Sequence, residues 1–136
     1  MPIDFAIDHE RRLVTAKARG TLTHEDILGY QKDVWSRSEV NGYDELVDMS
    51  QVAKIDLQSI ERVREVAKLS AGMDTSSSAS RFAIVATTEE AFGLGRMYQT
   101  YRSLDDRSTK EVGVFRSMEE ALALSLIHIS EPTRPY

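Results

Sequence analysis

The stretch Glu45 to Ser59, ELVDMSQVAKIDLQS, decides how the rest of this 136-residue chain is read. Its first five residues, Glu45 to Met49, are apolar at the centre, as in a short strand covered on both faces. Ser50 to Gln58 reads as a polar turn, with Asp56 standing where the N-cap of a helix belongs. From there Leu57, Ile60, Val63 and Ala67 recur at helical spacing, while Glu61, Arg62, Arg64, Glu65 and Lys68 cover the opposite face. The pattern predicts a strand, a polar turn and a capped helix that ends at Gly72.

Upstream, Ile3, Phe5 and Ile7 alternate with Asp4, Ala6 and Asp8, the period of a half-buried strand. A second run, Arg12 to Arg19, places Val14, Ala16 and Ala18 on one side, so the two form a hairpin across His9-Glu10-Arg11. Gly20 is expected to stop that strand. Thr23, with an acid three positions later, then opens a helix to about Arg37 whose apolar stripe is Ile27, Tyr30 and Val34, with Leu28 and Trp35 alongside. Downstream, Asp74 to Ser80, DTSSSAS, has too little apolar surface to order itself and reads as a flexible loop. Phe82 to Ala86 is a fourth strand, and Thr87-Thr88-Glu89-Glu90 caps a third helix reaching about Leu104, with Ala91, Leu94, Tyr98 and Tyr101 facing inward. Val112 to Phe115 closes the sheet and Ser117 caps a last helix. The order β-β-α-β-α-β-α-β-α predicts an α/β fold: an N-terminal hairpin followed by right-handed βα repeats around a mainly parallel five-stranded sheet.

The spacing Asp48-x-Ser50-x-Val52-x-x-x-Asp56 resembles the central strand and switch loop of STAS domains, the bacterial anti-sigma-factor-antagonist (SpoIIAA-like) type. The likeness covers about Ile3 to Ala123 and implies one STAS-like domain over residues 1–123. In members that act as phosphorylation switches, a DSSG-like sequence opens the second helix and the Ser after the Asp accepts phosphate. Here that segment is Asp56-Leu57-Gln58-Ser59. The resemblance therefore implies that Leu57, which has no hydroxyl, occupies the acceptor position. The chain is similar to small uncharacterised bacterial proteins grouped as STAS-like or STAS/SEC14-like. Residues 124–136 are set apart, because Leu124 to Arg134, LSLIHISEPTR, resembles a translated sequencing adapter.

In a parallel sheet a site is expected outside the carboxyl ends of the strands. That singles out Asp48, Ser50, Asp56, Leu57, Gln58 and Ser59 around the central strand, and Thr87 and Thr88 after the fourth, as partner or ligand contacts. Gly93 and Gly95 lie inside a helix, where each costs about 1 kcal/mol against alanine, so something approaches closely there, a neighbouring backbone or a ligand. Arg96 beside them joins the candidates. Gly93-x-Gly95-Arg96 lacks the pattern of a phosphate loop.

A net charge of −5 and an isoelectric point near 5.2 argue against nucleic acid. No cysteine is present, which suits a reducing cytoplasm. The acidic N-terminus does not read as a signal peptide, and no run of about 18 uncharged apolar residues offers a membrane span. His9, His24 and His128 make no HxH or HExxH spacing, and none is expected beside Ser50, so neither a metal site, a cofactor nor a catalytic triad is expected. The expected function is thus a non-catalytic regulatory or protein-interaction module, with a protein partner or a second copy meeting the Ser50–Gln58 turn. The alternative is a carrier or sensor of a small apolar or amphipathic ligand, suggested by the helix glycines with Met97, Tyr98 and Tyr101. An enzyme of unknown type comes third.

Overall fold

Alternation along the first residues sets the architecture. Ile3, Phe5 and Ile7 pair with Ala18, Ala16 and Val14, so β1 (Ile3–Asp8) and β2 (Leu13–Thr23) form the expected antiparallel hairpin. In this computed structural model, which describes residues 2–74 and 80–124, three parallel strands follow: β3 (Asp44–Asp56), β4 (Arg81–Val85) and β5 (Glu111–Phe115). The sheet order is β1-β2-β3-β4-β5. The helices α1 (His24–Trp35), α2 (Ile60–Gly72), α3 (Glu89–Ser103) and α4 (Met118–Leu124) alternate with the strands, as the sequence implied. Of the flexible loop expected over Asp74 to Ser80, residues 75–79 fall outside the described residues, whereas its ends are held in the structure: Asp74 is paired with Arg102 and Ser80 is buried. The adapter reading of Leu124 to Arg134 falls outside the described residues from position 125 onward.

Two layers of side chains hold the sheet. On one face Ala18, Phe82 and Ile84 pack against Ile27 of α1, Val63 of α2 and Ala91 of α3. On the other, Leu13, Leu46, Ala83 and Val85 meet Ala121 of α4. A third cluster, Val14, Val34, Trp35, Val40 and Tyr43, closes the edge where α1 turns back towards β3. The caps of α1, α3 and α4 are those legible in sequence. Thr23 Oγ1 accepts from the Asp26 amide while the Asp26 carboxylate accepts from that of Thr23, a full capping box. Thr88 Oγ1 accepts from the Ala91 amide, and Ser117 Oγ from the Glu120 amide.

The opening stretch folds differently from its sequence reading. β2 does not stop at Gly20, which takes φ +68° and lets the strand bend and continue to Thr23. β3 does not end at Met49: it runs to Asp56 beside β2, so Ser50 to Asp56 is strand rather than turn. The ladder shifts register between Lys17 and Arg19 and again between Gly20 and Thr21. These bulges break the period of two, so the buried positions fall at Val52, Ile55 and Leu57. Asp56 is the last residue of β3, opposite Thr23, and is not a helix cap. Gln58 adopts φ +69°, Ser59 is the N-cap residue without a side-chain bond, and α2 begins only at Ile60. Leu57 thus precedes the helix instead of starting it. Ile60, expected to be buried, is 59% exposed, and α2 buries Val63, Val66, Ala67, Ser70 and Ala71. α1 also ends at Trp35, short of Arg37, with Ser36 as its C-cap.

The two helix glycines separate cleanly. A Cβ on Gly95 would lie 3.0 Å from Val114 Cγ1 and 3.9 Å from Ile84 Cγ2, so α3 sits close to β5 through this residue, against side chains rather than backbone. At Gly93 a Cβ would meet nothing within 4 Å. Gly93→Ala should therefore stabilise the protein by about 0.5–1 kcal/mol through helix propensity, and Gly95→Leu should destabilise it by about 1–3 kcal/mol through overpacking. Urea unfolding midpoints of the two variants check both signs.

Candidate functional site

The residues singled out from sequence do not converge. Asp48 ends the β3–β4 pairing opposite Val85, and its Oδ1 accepts from the Ser50 amide at 2.9 Å. Ser50, Gln58, Ser59, Thr87, Thr88 and Arg96 are exposed, and Thr88 is occupied as the cap of α3. Asp56 is half-buried. Of these residues Leu57 alone reaches the interior, where it joins Ile55 and Val63 in the main core cluster. Sequence placed the site at the carboxyl rim. Among the described residues, the features with chemistry lie deeper and towards the amino ends of the parallel strands.

Between the sheet and helices α1 to α3 lies a cavity of about 120 Å³. Its walls are apolar, with Leu22, Ile55 and Leu57 towards the rim and Val47, Ile84 and Leu94 at mid-depth. Four polar side chains also line it: Tyr30, Gln31, Glu45 and Tyr98. The space is partly open to solvent instead of being a sealed void. Apolar cavities of roughly 150 Å³ admit benzene, which sets the scale of what fits.

The polar residues belong to a buried network. Glu45, at the start of β3, is 3% exposed, and both of its oxygens are engaged. Oε1 accepts from Lys110 Nζ at 3.2 Å, while Oε2 accepts from the Tyr30 hydroxyl at 2.7 Å and from Trp35 Nε1 at 3.1 Å. The Lys110 ammonium also sits 3.2 Å from the centre of the Trp35 ring. Burial lowers the Lys110 pKa from its ordinary value, against the pull of the Glu45 carboxylate. Burial and the Glu45 charge together hold the Tyr30 phenol well above its usual range.

A second ion pair lies beside the first. Arg102, 2% exposed, donates to Asp74 Oδ2 at 2.6 Å, to the Tyr98 hydroxyl at 2.7 Å and to Ser108 Oγ at 3.0 Å. Asp74 Oδ2 also accepts from the Thr109 and Lys110 amides, which ties the end of α2 to the entry of β5. Burial raises the Tyr98 pKa although the Arg102 charge opposes it.

Sequence reasoning missed this network. One signal was available: Glu45 alternates with Val47 on a strand expected to be covered on both faces, so its carboxylate had to be buried and had to find a partner. Nothing local names Lys110, which is 65 positions away.

A crystal structure of an uncharacterised protein of the DUF3478 family from Shewanella loihica PV-4, described as having a SpoIIAA-like fold, superposes with a TM-score of 0.55 at 17% identity, over 90% of this chain and 92% of that one. The fold is SpoIIAA-like. At that identity the likeness establishes the STAS-like architecture alone. No protein-family model and no curated protein matches the sequence. Among the described residues, no helix of this STAS-like domain is long and apolar enough to cross a membrane.

Removing Lys110 leaves the Glu45 charge buried without its counter-ion, so Lys110→Met should cost about 3–5 kcal/mol, and Glu45→Gln in the same chain should recover most of that. Chemical unfolding of the single and double variants measures both. The Tyr30 hydroxyl gives a pH signature. An unfolded tyrosine loses its proton near pH 10.0, whereas folded Tyr30 keeps it, so the stability it contributes is complete below that pH and is lost as pH rises above it. Unfolding midpoints between about pH 9 and 11 should fall less steeply for Tyr30→Phe than for the unaltered protein.

Proposed function

We propose that this STAS-like domain is a non-catalytic binding module that holds a small apolar or amphipathic molecule in the cavity between its sheet and α1 to α3. The cavity carries the reading. It is a partly open space whose aliphatic and aromatic walls expose almost no polar surface, which suits an apolar or largely apolar occupant. The buried ion pairs are structural on this reading, because every charged oxygen and nitrogen described above is paired within the protein.

Leu57 joins the cavity to the regulatory and protein-binding role that the STAS resemblance implies. Its side chain lines the chamber while Asp56, Gln58 and Ser59 lie at or near the surface. An occupant that moves Leu57 moves the segment a protein partner or second copy would meet. A phosphate on residue 57 would have to enter an apolar core, so regulation by occupancy fits this chain better than regulation by phosphorylation of that residue. The cysteine-free composition suits a cytoplasmic setting, and the proposal places the protein there.

Native mass spectrometry of freshly purified protein tests the proposal, with Val63→Phe as the variant that fills the chamber. The expected result is a small bound mass that the variant loses, together with a gain of about 0.5–2 kcal/mol in its ligand-free stability. A ligand-free spectrum combined with a destabilised Val63→Phe would show a chamber that is already closed. A change of oligomeric mass on adding a partner, with no bound small molecule, would favour the interaction module alone.

A further inference from the structure

Gln31 lies where the apolar cavity meets a second, polar pocket of about 10 Å³. It is 9% exposed, and its one hydrogen bond is a long contact from Nε2 to the Met73 sulfur at 3.6 Å. Among the described residues its Oε1 accepts nothing, and its second N–H is equally free. The unbonded Oε1 is not sealed from solvent, so the amide keeps an acceptor and a donor available to a group that enters beside it. Its neighbours are saturated by contrast. Glu45 accepts three hydrogen bonds, Lys110 is spent on Glu45 and the Trp35 ring, and Arg102 on Asp74, Tyr98 and Ser108.

We infer that Gln31 is the polar anchor of the cavity, and that the molecule it selects is neutral, with an apolar body of roughly six to eight non-hydrogen atoms and a single hydroxyl or carbonyl at the end facing Gln31. The inference rests on the cavity being a binding site and adds what that site recognises. The size follows from the 120 Å³ chamber. The polar group follows from the idle amide, which can accept from a hydroxyl or donate to a carbonyl. Neutrality follows from the paired charges: an anionic head would find no uncommitted cation and would face Glu45, while a cationic head would find no uncommitted carboxylate. Either would lose its hydration without replacement.

Toluene and phenol match in size and differ by a methyl against a hydroxyl, so titrating each into the protein while following the Gln31 side-chain amide by NMR isolates the anchor. Phenol should bind and shift that amide resonance, and Gln31→Met, which keeps the shape and removes the amide, should weaken phenol about tenfold while leaving toluene unchanged. Benzoate at neutral pH should not displace phenol. Toluene binding with phenol equally tight in the unaltered protein and in Gln31→Met would overturn the anchor while leaving the cavity reading intact. Displacement of phenol by benzoate would overturn neutrality. Failure of both toluene and phenol to bind would overturn the inference together with the binding site on which it rests.

Discussion

The ion pair between Glu45 and Lys110 is the constraint on which the interior depends. Both side chains are almost wholly buried, and bringing two such charges out of water costs several kcal/mol apiece, repaid only where the remaining lone pairs and protons are also satisfied. Here Glu45 accepts three hydrogen bonds and the Lys110 ammonium adds the face of the Trp35 ring to its carboxylate partner, and the contributions are distributed: Tyr30 and Trp35 come from α1, Lys110 from the entry to β5, and Glu45 from the central strand. The arrangement forms only when α1, β3 and β5 are all in place. Asp74 adds the end of α2 by binding Arg102 and the Lys110 amide. Hydrophobic burial drives the collapse, but many apolar packings would satisfy it. The paired charges admit few alternatives, because each misplacement strands a charge in a low-dielectric interior.

The same network explains the cavity beside it. Tyr30 and Tyr98 are held with their hydroxyls towards Glu45 and Arg102 respectively, so neither ring is free to rotate inward and fill the space between sheet and helices. Gly95 brings α3 down onto Val114, which fixes the height of the helix above the sheet at that level. At the opposite end the ribbon formed by Arg19–Thr23 and Gln51–Asp56 extends past the last paired residue of β4 and carries Leu22 and Ile55 over the chamber. Polar anchoring at one end and a bent ribbon at the other hold the walls apart.

The fold was legible because its local signals agreed with one another. The hairpin came from alternation at Ile3, Phe5 and Ile7, α1 from the Thr23–Asp26 capping box, and α3 from Thr88, and each survives in the structure. The error fell at Ser50 to Ser59, where two register shifts between β2 and β3 move buried positions to Val52, Ile55 and Leu57. A period-two search sees polar residues there and concludes that the strand has ended. The strand instead bends, and Gly20 on its partner bends with it. The candidate site was less legible still. Its polar members come from α1, β3, α2, α3 and the approach to β5, and pairing over such separations leaves no spacing that one sequence can display.

The misread segment and the interior meet at Leu57. Had Leu57 opened a helix at the rim, its side chain would have been one residue of an amphipathic stripe, replaceable by another apolar residue with little consequence. Placed between the end of β3 and the start of α2, followed by Gln58 at φ +69°, it is held by backbone on both sides and has one direction in which to bury itself. That direction is the chamber. A hydroxyl there would find apolar neighbours such as Ile55 and Val63 instead of an exposed helix terminus, so the hydrocarbon at this position follows from the local backbone as much as from any loss of a modification site. The short connection between a bent strand and a late-starting helix thus joins a buried wall residue, Leu57, directly to the exposed Gln58 and Ser59.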